Sequence, residues 1–317
     1  MNIDVLSLGE ILIDFATESV DETGYPTMSA HPGGAPANFL AVNQKYGLNT
    51  GMIGKVGTDA FGKMLINTLE DAGIYTGGVI KDDKVFTTLA FVTFDAHGDR
   101  SFSFARKPGA DTCISPDEID YSLIDACRVF HFGTLSLTDH PAIEATKKAV
   151  EYAKQKGKLI SYDPNLRKPL WHSEEQAREA MLWGLEQADI VKISDEEVEF
   201  LFGLAPKEGL DYIFEKYDVK LLFVTCGGDG AYYKNANAEG MLPAYEDAHP
   251  IDTTGAGDIF GGSALNRVLL SGRDPQSLDD EELKKIVRFA TVAAGISTMK
   301  KGGISSIPEL DEVLDKL

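Results

Sequence analysis

The stretch IDTTGAGDIFGG, residues 251–262, sets two carboxylates, Asp252 and Asp258, around two threonines and a Gly-Ala-Gly. From Asp258 onward, Ile259, Phe260, Ala264, Leu265 and Val268 recur at helical spacing. The small, polar run before them suits a turn rather than a buried strand. The spacing therefore predicts that Gly255, Ala256 and Gly257 open a helix. Backbone N–H groups at a helix start have no partner within the helix, and the helix dipole adds partial positive charge. Such an end suits an anion, and small residues let it come close. A carboxylate there is a poor anion binder, because like charges repel. It is well placed as a general base that takes a proton from a hydroxyl attacking a phosphate. The plainer reading stands beside it: an acid in the first turn is favoured by the dipole alone.

Rival chemistries can be tested on the same residues. A GxGxxG dinucleotide fingerprint would need glycine where Phe260 stands, and a GxxxxGK[ST] phosphate loop does not occur. HExxH and GxSxG are also absent, which removes common zinc-peptidase and hydrolase readings.

The elements that must hold these residues follow from an alternation of short apolar runs and helical patterns. Residues 5–9, 52–56, 128–132, 158–162, 190–193 and 221–225 read as strands. Helices are expected over 37–46, stopped by Gly47, over 62–72, stopped by Gly73, after Pro141 and after Asp195. Such alternation implies βαβ units and a largely parallel sheet, with ligands at the carboxyl ends of the strands. One segment breaks the pattern. Two β-rich runs, 87–94 and 100–106, flank a Gly-containing turn at Asp95, Ala96, His97, Gly98 and Asp99 and predict a hairpin. Its second arm places Arg100, Phe102, Phe104 and Arg106 on one face. With extended chain over about 11–30, it is expected to form a small sheet outside the core; a β flap over a site would act as a lid that excludes water, and a surface hairpin with no role stands beside that reading. A last long helix is expected over 279–299, with Ser277 as its cap and an apolar stripe of Leu283, Ile286, Val287, Ala290 and Ala294.

Composition bounds the partners. The 317-residue chain is 43% hydrophobic and 25% charged, with a net charge of -20. That charge argues against nucleic acid and against an anionic membrane surface, and it means an anionic substrate needs local positive groups. Cys113, Cys127 and Cys226 are scattered and form no CxxC, as in a reducing compartment. The start MNIDVLSLGE reads as no signal peptide, and no apolar run is long enough to span a bilayer, so a cytoplasmic protein is expected.

DTTGAGDIFGG is very similar to the second signature of the PfkB, or ribokinase-like, carbohydrate kinases. HPGGAPANFLAV at 31–42 resembles their first signature. GEILIDF at 9–15, the hairpin, YDPNLRKPLW at 162–171, KISDEEVEFLFG at 192–203 and VTCGGDGAYY at 224–233 have counterparts, so the resemblance runs almost end to end. DPNLR followed by LW, and the SDEE segment, most resemble the fructokinases of the family.

The resemblance implies an α/β, ribokinase-like fold: one domain over 1–317, with a mainly parallel sheet of nine or so strands between helices. A β lid is inserted at about 11–30 and 85–107. It implies phosphorylation of a primary sugar hydroxyl by ATP. Asp258 matches the catalytic base, and Gly255, Ala256 and Gly257 match the anion hole. Asp14, Gly33, Gly34 and Asn38 match sugar-binding positions, while Arg106 and Arg167 are candidates to neutralise phosphate or a substrate carboxylate. Lys192, Thr225, Gly227, Gly230 and Ala294 match the nucleotide side. Thr291 stands where relatives often carry Asn, and a plain Gly-rich turn accounts equally well for Gly227 and Gly230.

Glu197 matches the Glu of an NxxE motif that organises Mg2+ through water, although Ser194 stands at its Asn position. Asp252, Thr254, Gly302 and Ser306 match a monovalent-cation site, which points to K+. A homodimer paired through the lid is the assembly that some relatives suggest. The activity expected is that of a fructokinase; the alternatives are a 2-keto-3-deoxygluconate or other PfkB sugar kinase, and a non-catalytic sugar or nucleotide sensor.

Overall fold

The computed structural model describes residues 2–94 and 100–317. The strands are β1 (Ile3–Leu8), β2 (Leu12–Val20), β3 (Pro26–Gly33), β4 (Thr50–Gly57), β5 (Tyr75–Asp82), β6 (Leu89–Phe94) and β7 (Arg100–Ala105). They continue as β8 (Cys127–Phe132), β9 (Leu159–Tyr162), β10 (Ile190–Ser194), β11 (Leu221–Thr225), β12 (Ala231–Asn235) and β13 (Glu239–Leu242). The helices are α1 (Ala35–Lys45), α2 (Ala60–Asp71), α3 (Tyr121–Ala126), α4 (Ala142–Gln155) and α5 (Glu174–Gln187). Then come α6 (Asp195–Phe202), α7 (Pro206–Lys216), α8 (Ala256–Ser271), α9 (Asp280–Ser297) and α10 (Leu310–Leu314).

Nine strands form one sheet in the order β13-β12-β11-β10-β9-β8-β1-β4-β5. Seven of them, β11 through β5, pair in parallel, and β12 and β13 close one edge antiparallel. Strand side chains alternate between the faces. On β11, Leu221 and Phe223 join the core shared with α1, α8 and α9, whereas Leu222 and Val224 join the core shared with α4, α5, α6 and α7. With both faces covered, inner strands read as continuous apolar runs rather than alternating ones. Leu265 of α8 is 1% exposed, and its truncation to alanine is expected to cost about 2–5 kcal/mol.

Glycines end the helices where the sequence suggested: Gly47 and Gly73 both take positive φ. The cap of α9 differs from expectation. Asp279, not Ser277, accepts the Glu282 amide at 3.0 Å, and Glu282 returns a bond to the Asp279 amide. A carboxylate one residue from the helix outcompetes a hydroxyl held in its own short 3-10 turn.

A second sheet stands apart, in the order β3-β2-β6-β7. β2 pairs antiparallel with β3, setting Asp14 opposite His31 and Leu12 opposite Gly33. β2 also pairs parallel with β6, and β6 antiparallel with β7. Phe15 fixes this sheet to the body by an edge-on contact with Phe61 of α2 and stacks on Phe91 of β6. The turn expected at residues 95–99 and the facing of Arg100 and Phe102 lie outside what the structure describes. Among the described residues no helix is long and apolar enough to cross a membrane.

Candidate active site

The Gly-Ala-Gly run opens α8. Gly255 is the N-cap at φ 76, a left-handed conformation that favours glycine, and the first bond of the helix runs from the Ile259 amide to the Gly255 carbonyl at 2.9 Å. The amides of Gly257 and Asp258 precede that bond. The Ala256 amide differs from expectation: it reaches back to the Thr253 carbonyl at 3.3 Å, closing the turn. The helix start stands between two clefts. The lid-side cleft, about 510 Å³, is walled by Gly255 and Asp258 together with Asp14, Asn38 and Arg167. The far cleft, about 400 Å³, is walled by Ala256 and Gly257 together with Lys192, Gly227 and Ala294. Thr253 and Glu196 line both.

Asp258 is 8% exposed and held from two sides. The Asn38 amide donates to one carboxylate oxygen at 2.8 Å, and the Asn165 amide to the other at 3.3 Å. Burial raises its pKa, against the opposing pull of Asn38, Lys192 and Arg167. A buried carboxylate with a raised pKa and two fixed donors is oriented for proton transfer. Asn38 is therefore a partner of that acid as well as a wall of the cleft. Asn165 is the positive-φ residue, at φ 51, among the described non-glycine residues, a local strain of the kind that collects at functional sites.

Asp14 reaches the same cleft from β2. Its pKa is raised to about 6, first by burial and then by Asp258 and Asp252, with Arg167 pulling it down. Gly33 lies across the ladder, where a Cβ would sit 2.3 Å from an Asp14 oxygen. At Gly34, φ is 111 and a Cβ would meet the Glu10 carbonyl at 2.6 Å. Gly34 is thus required by close approach and by its φ, whereas at Gly33 a side chain would push against the end of Asp14. Glu10, 3% exposed, also lines the cleft and accepts the Ala35 amide at 3.0 Å; burial raises its pKa to about 7.

The two arginines part ways. Arg167 is exposed and faces the lid-side cleft. Arg106 does not reach it. Arg106 is 4% exposed, and its guanidinium is tied to Asp111, Thr138 Oγ1 and the Leu135 carbonyl, so no end of it is left for a phosphate.

In the far cleft, Thr225, Gly227 and Gly230 surround the turn from β11 into β12. Gly230 has φ 111, and a Cβ there would lie 2.0 Å from the Leu242 carbonyl. The plain turn therefore accounts for this glycine, and it walls a cleft as well. Ala294 and Thr291 of α9 line the opposite side. Lys192 is paired with Asp163 at 3.1 Å, and Gly257 lies where a Cβ would be 2.9 Å from its Nζ. Burial pushes Asp163 up, and Lys192 opposes it.

Glu197 is 6% exposed and accepts the amides of Leu166 at 2.7 Å and Ser194 at 2.9 Å, one on each oxygen. It joins the DPNLR segment to the start of α6, and Ser194 is that helix's N-cap. Each oxygen keeps a lone pair, which fits contact with a hydrated Mg2+ and not a direct cage. Among the described residues no three His, Cys, Asp or Glu side chains cluster as a metal site. Asp252 accepts the Thr254 amide and hydroxyl on one oxygen and the Gly302 amide at 2.9 Å on the other, and the Ser306 hydroxyl donates to the Gly303 carbonyl. The loops at 252–254 and 302–306 are thus clasped together, with oxygen donors that fit a monovalent cation.

Asn165, Glu10 and Asp163 were not singled out from the sequence. All three sit in stretches that stood out there, GEILIDF and DPNLR, so a signal existed without a way to say which polar side chains turn inward.

A pfkB family carbohydrate kinase model matches residues 2–310, and the chain belongs to that family. It is 43% identical over 315 residues to Fructokinase-1 of Zea mays, covering 98% of this chain and 96% of the relative. The solved structure of fructokinase with bound ATP from Xylella fastidiosa superposes with a TM-score of 0.91 at 29% identity, over 100% of this chain and 98% of that one. A fructokinase double mutant from Vibrio cholerae O395, in a fructose, ADP and potassium ion bound form, gives a TM-score of 0.85 at 27% identity, over 100% and 99% of the two chains.

Proposed function

We propose that this carbohydrate kinase transfers the γ-phosphoryl group of ATP to D-fructose, forming D-fructose 6-phosphate and ADP. One observation carries the reading: the start of α8 divides two clefts and points Asp258 into the one lined by Asp14 and Asn38. Fructose occupies the lid-side cleft, where carboxylate and amide side chains pair with adjacent hydroxyls. ATP lies in the far cleft against Thr225, Gly227, Gly230 and Ala294, its γ-phosphate near Lys192 and the amides of Gly257 and Asp258. Asp258 takes the hydroxyl proton, the sugar oxygen bonds to the γ-phosphorus, and the bond to the bridging oxygen breaks, leaving ADP. These amides stabilise charge on the moving group, and Arg167 offsets the acidic field around it. Glu197 would hold Mg2+ through water, and the ion, when bound with the nucleotide, would neutralise phosphate charge. Asp252, Thr254, Gly302 and Ser306 would hold K+, which would steady the loop that leads into α8.

The name of the maize relative and the fructose held by the Vibrio relative support fructose as the substrate. One feature favours a second substrate: exposed Arg167 in the cleft suits a sugar acid such as 2-keto-3-deoxygluconate. ADP release measured over a panel of neutral sugars and sugar acids decides between them. Fructose is expected to give the highest kcat/KM, and a higher value for a sugar acid overturns the assignment. Val20 and Tyr25, exposed at 61% and 73% on the lid strands and the turn between them, support a homodimer, which sedimentation tests.

A further inference from the structure

We propose that Asp111 is a positioning residue for the sugar cleft: one buried carboxylate clasps both roots of the lid hairpin and, through Arg106, fixes a wall of the cleft. The inference rests on the sugar-kinase reading above. Asp111 lies in the short 3-10 turn Ala110–Cys113. Its Oδ1 accepts from the hydroxyl of Thr88, the residue before β6. Its Oδ2 accepts from Arg106 Nε at 2.8 Å and lies 2.7 Å from a terminal guanidinium nitrogen, and Arg106 is the residue after β7. The two arms of the hairpin are thus tied at their bases by one side chain.

The constraint continues into the cleft. Arg106 donates to Thr138 Oγ1 at 2.8 Å and to the Leu135 carbonyl at 2.7 Å, and Leu135 lines the cleft. The Thr88 carbonyl accepts the Ile13 amide at 3.2 Å, next to Asp14. Phe104, two residues before Arg106, lines the cleft as well. The cluster is buried and tight: Thr88, Arg106, Asp111 and Thr138 are 1–4% exposed, and a Cβ on Gly109 would lie 1.8 Å from the Thr88 hydroxyl. Burial opposes the Arg106 charge, but Asp111, with Glu10 and Asp139 nearby, holds its pKa above the usual value.

A buried ion pair adds little stability over an apolar pair of the same shape; here its bonds join the roots of the two hairpin arms at fixed positions. Geometry is what a lid needs, because a hairpin that closes in the wrong place neither seats the sugar nor excludes water.

Steady-state kinetics on Asp111→Asn and Thr88→Val test the clasp, using ATP and whichever sugar the wild type phosphorylates best. Thr88→Val removes one arm without stranding a buried charge, so it decides the matter if Asp111→Asn does not fold. The sugar KM is expected to rise about tenfold in Asp111→Asn and about threefold in Thr88→Val, with the ATP KM within about twofold of wild type. ATP hydrolysis without sugar should rise relative to transfer, and Thr88→Ser, which keeps the hydroxyl, should restore the wild-type sugar KM. Folded variants with an unchanged sugar KM, or with both KM values shifted alike, overturn the clasp and leave the kinase reading intact. A wild type inactive on every sugar overturns both.

Discussion

The lid-side cleft presents Glu10, Asp14, Asn38, Asn165 and Asp258, polar side chains delivered from loops, a lid strand and two helices. The far cleft presents Gly227, Gly228, Gly230, Ala256 and Gly257, positions where backbone is the surface. One side is built from buried carboxylates whose charge resists burial; the other sets a stretch of bare main chain beside Lys192 and Glu196. The difference suits the ligands proposed for them. A polyol is recognised hydroxyl by hydroxyl and calls for specific acceptors, whereas a polyphosphate is held by N–H groups and needs close backbone approach. It also predicts that the two sides fail differently.

The largest effect is expected at the point where the clefts meet. Asp258→Asn should lower kcat by about a hundredfold or more while leaving the sugar KM close to wild type, measured by coupled ADP release. Near-normal turnover would remove Asp258 from the role of base.

Next comes Gly33→Ala. A methyl group 2.3 Å from the Asp14 oxygen must displace that carboxylate, so the sugar KM should rise by about tenfold or more with the ATP KM little changed. A shift in the ATP KM alone would break the division between the clefts.

The pH dependence sharpens it further. Glu10 and Asp14 have pKa values raised to about 7 and about 6, and Asp258 is raised as well. Loss of the carboxylate forms should lower kcat/KM for sugar as pH falls through about 7 to below 6. Stability should run the opposite way. The folded state binds these protons more tightly than the unfolded one, so their contribution is full below the ordinary carboxylate range. It is lost as pH rises through about 6 to 7. Thermal melts over that window should show Tm falling while activity rises, and parallel rise of both would contradict the assignment.

The smallest effect belongs to the far cleft. Gly257→Ala places a methyl group 2.9 Å from Lys192 Nζ, the mobile end of a long side chain. It should raise the ATP KM by about threefold and spare the sugar KM.

Much of this was legible before any coordinates. The parallel core followed from apolar runs alternating with helical patterns, and Gly255, Gly257 and Asp258 were placed at a helix start from spacing alone. The roles of the two arginines were not legible. Arg106 and Arg167 look alike in sequence, yet one is sealed against Asp111 and the other faces the cleft. Glu197 shows the same limit: its place in the first turn of α6 was readable, but its bond to the Leu166 amide, 31 residues away, was not.

Local pattern determined which segments are helix and strand, because capping, periodicity and glycine turns act within a few residues. Tertiary structure decided which polar side chains share a buried space. Asn38 and Asn165 meet Asp258 from 220 and 93 residues away, and the field each carboxylate feels depends on burial and on neighbours that only the folded chain supplies.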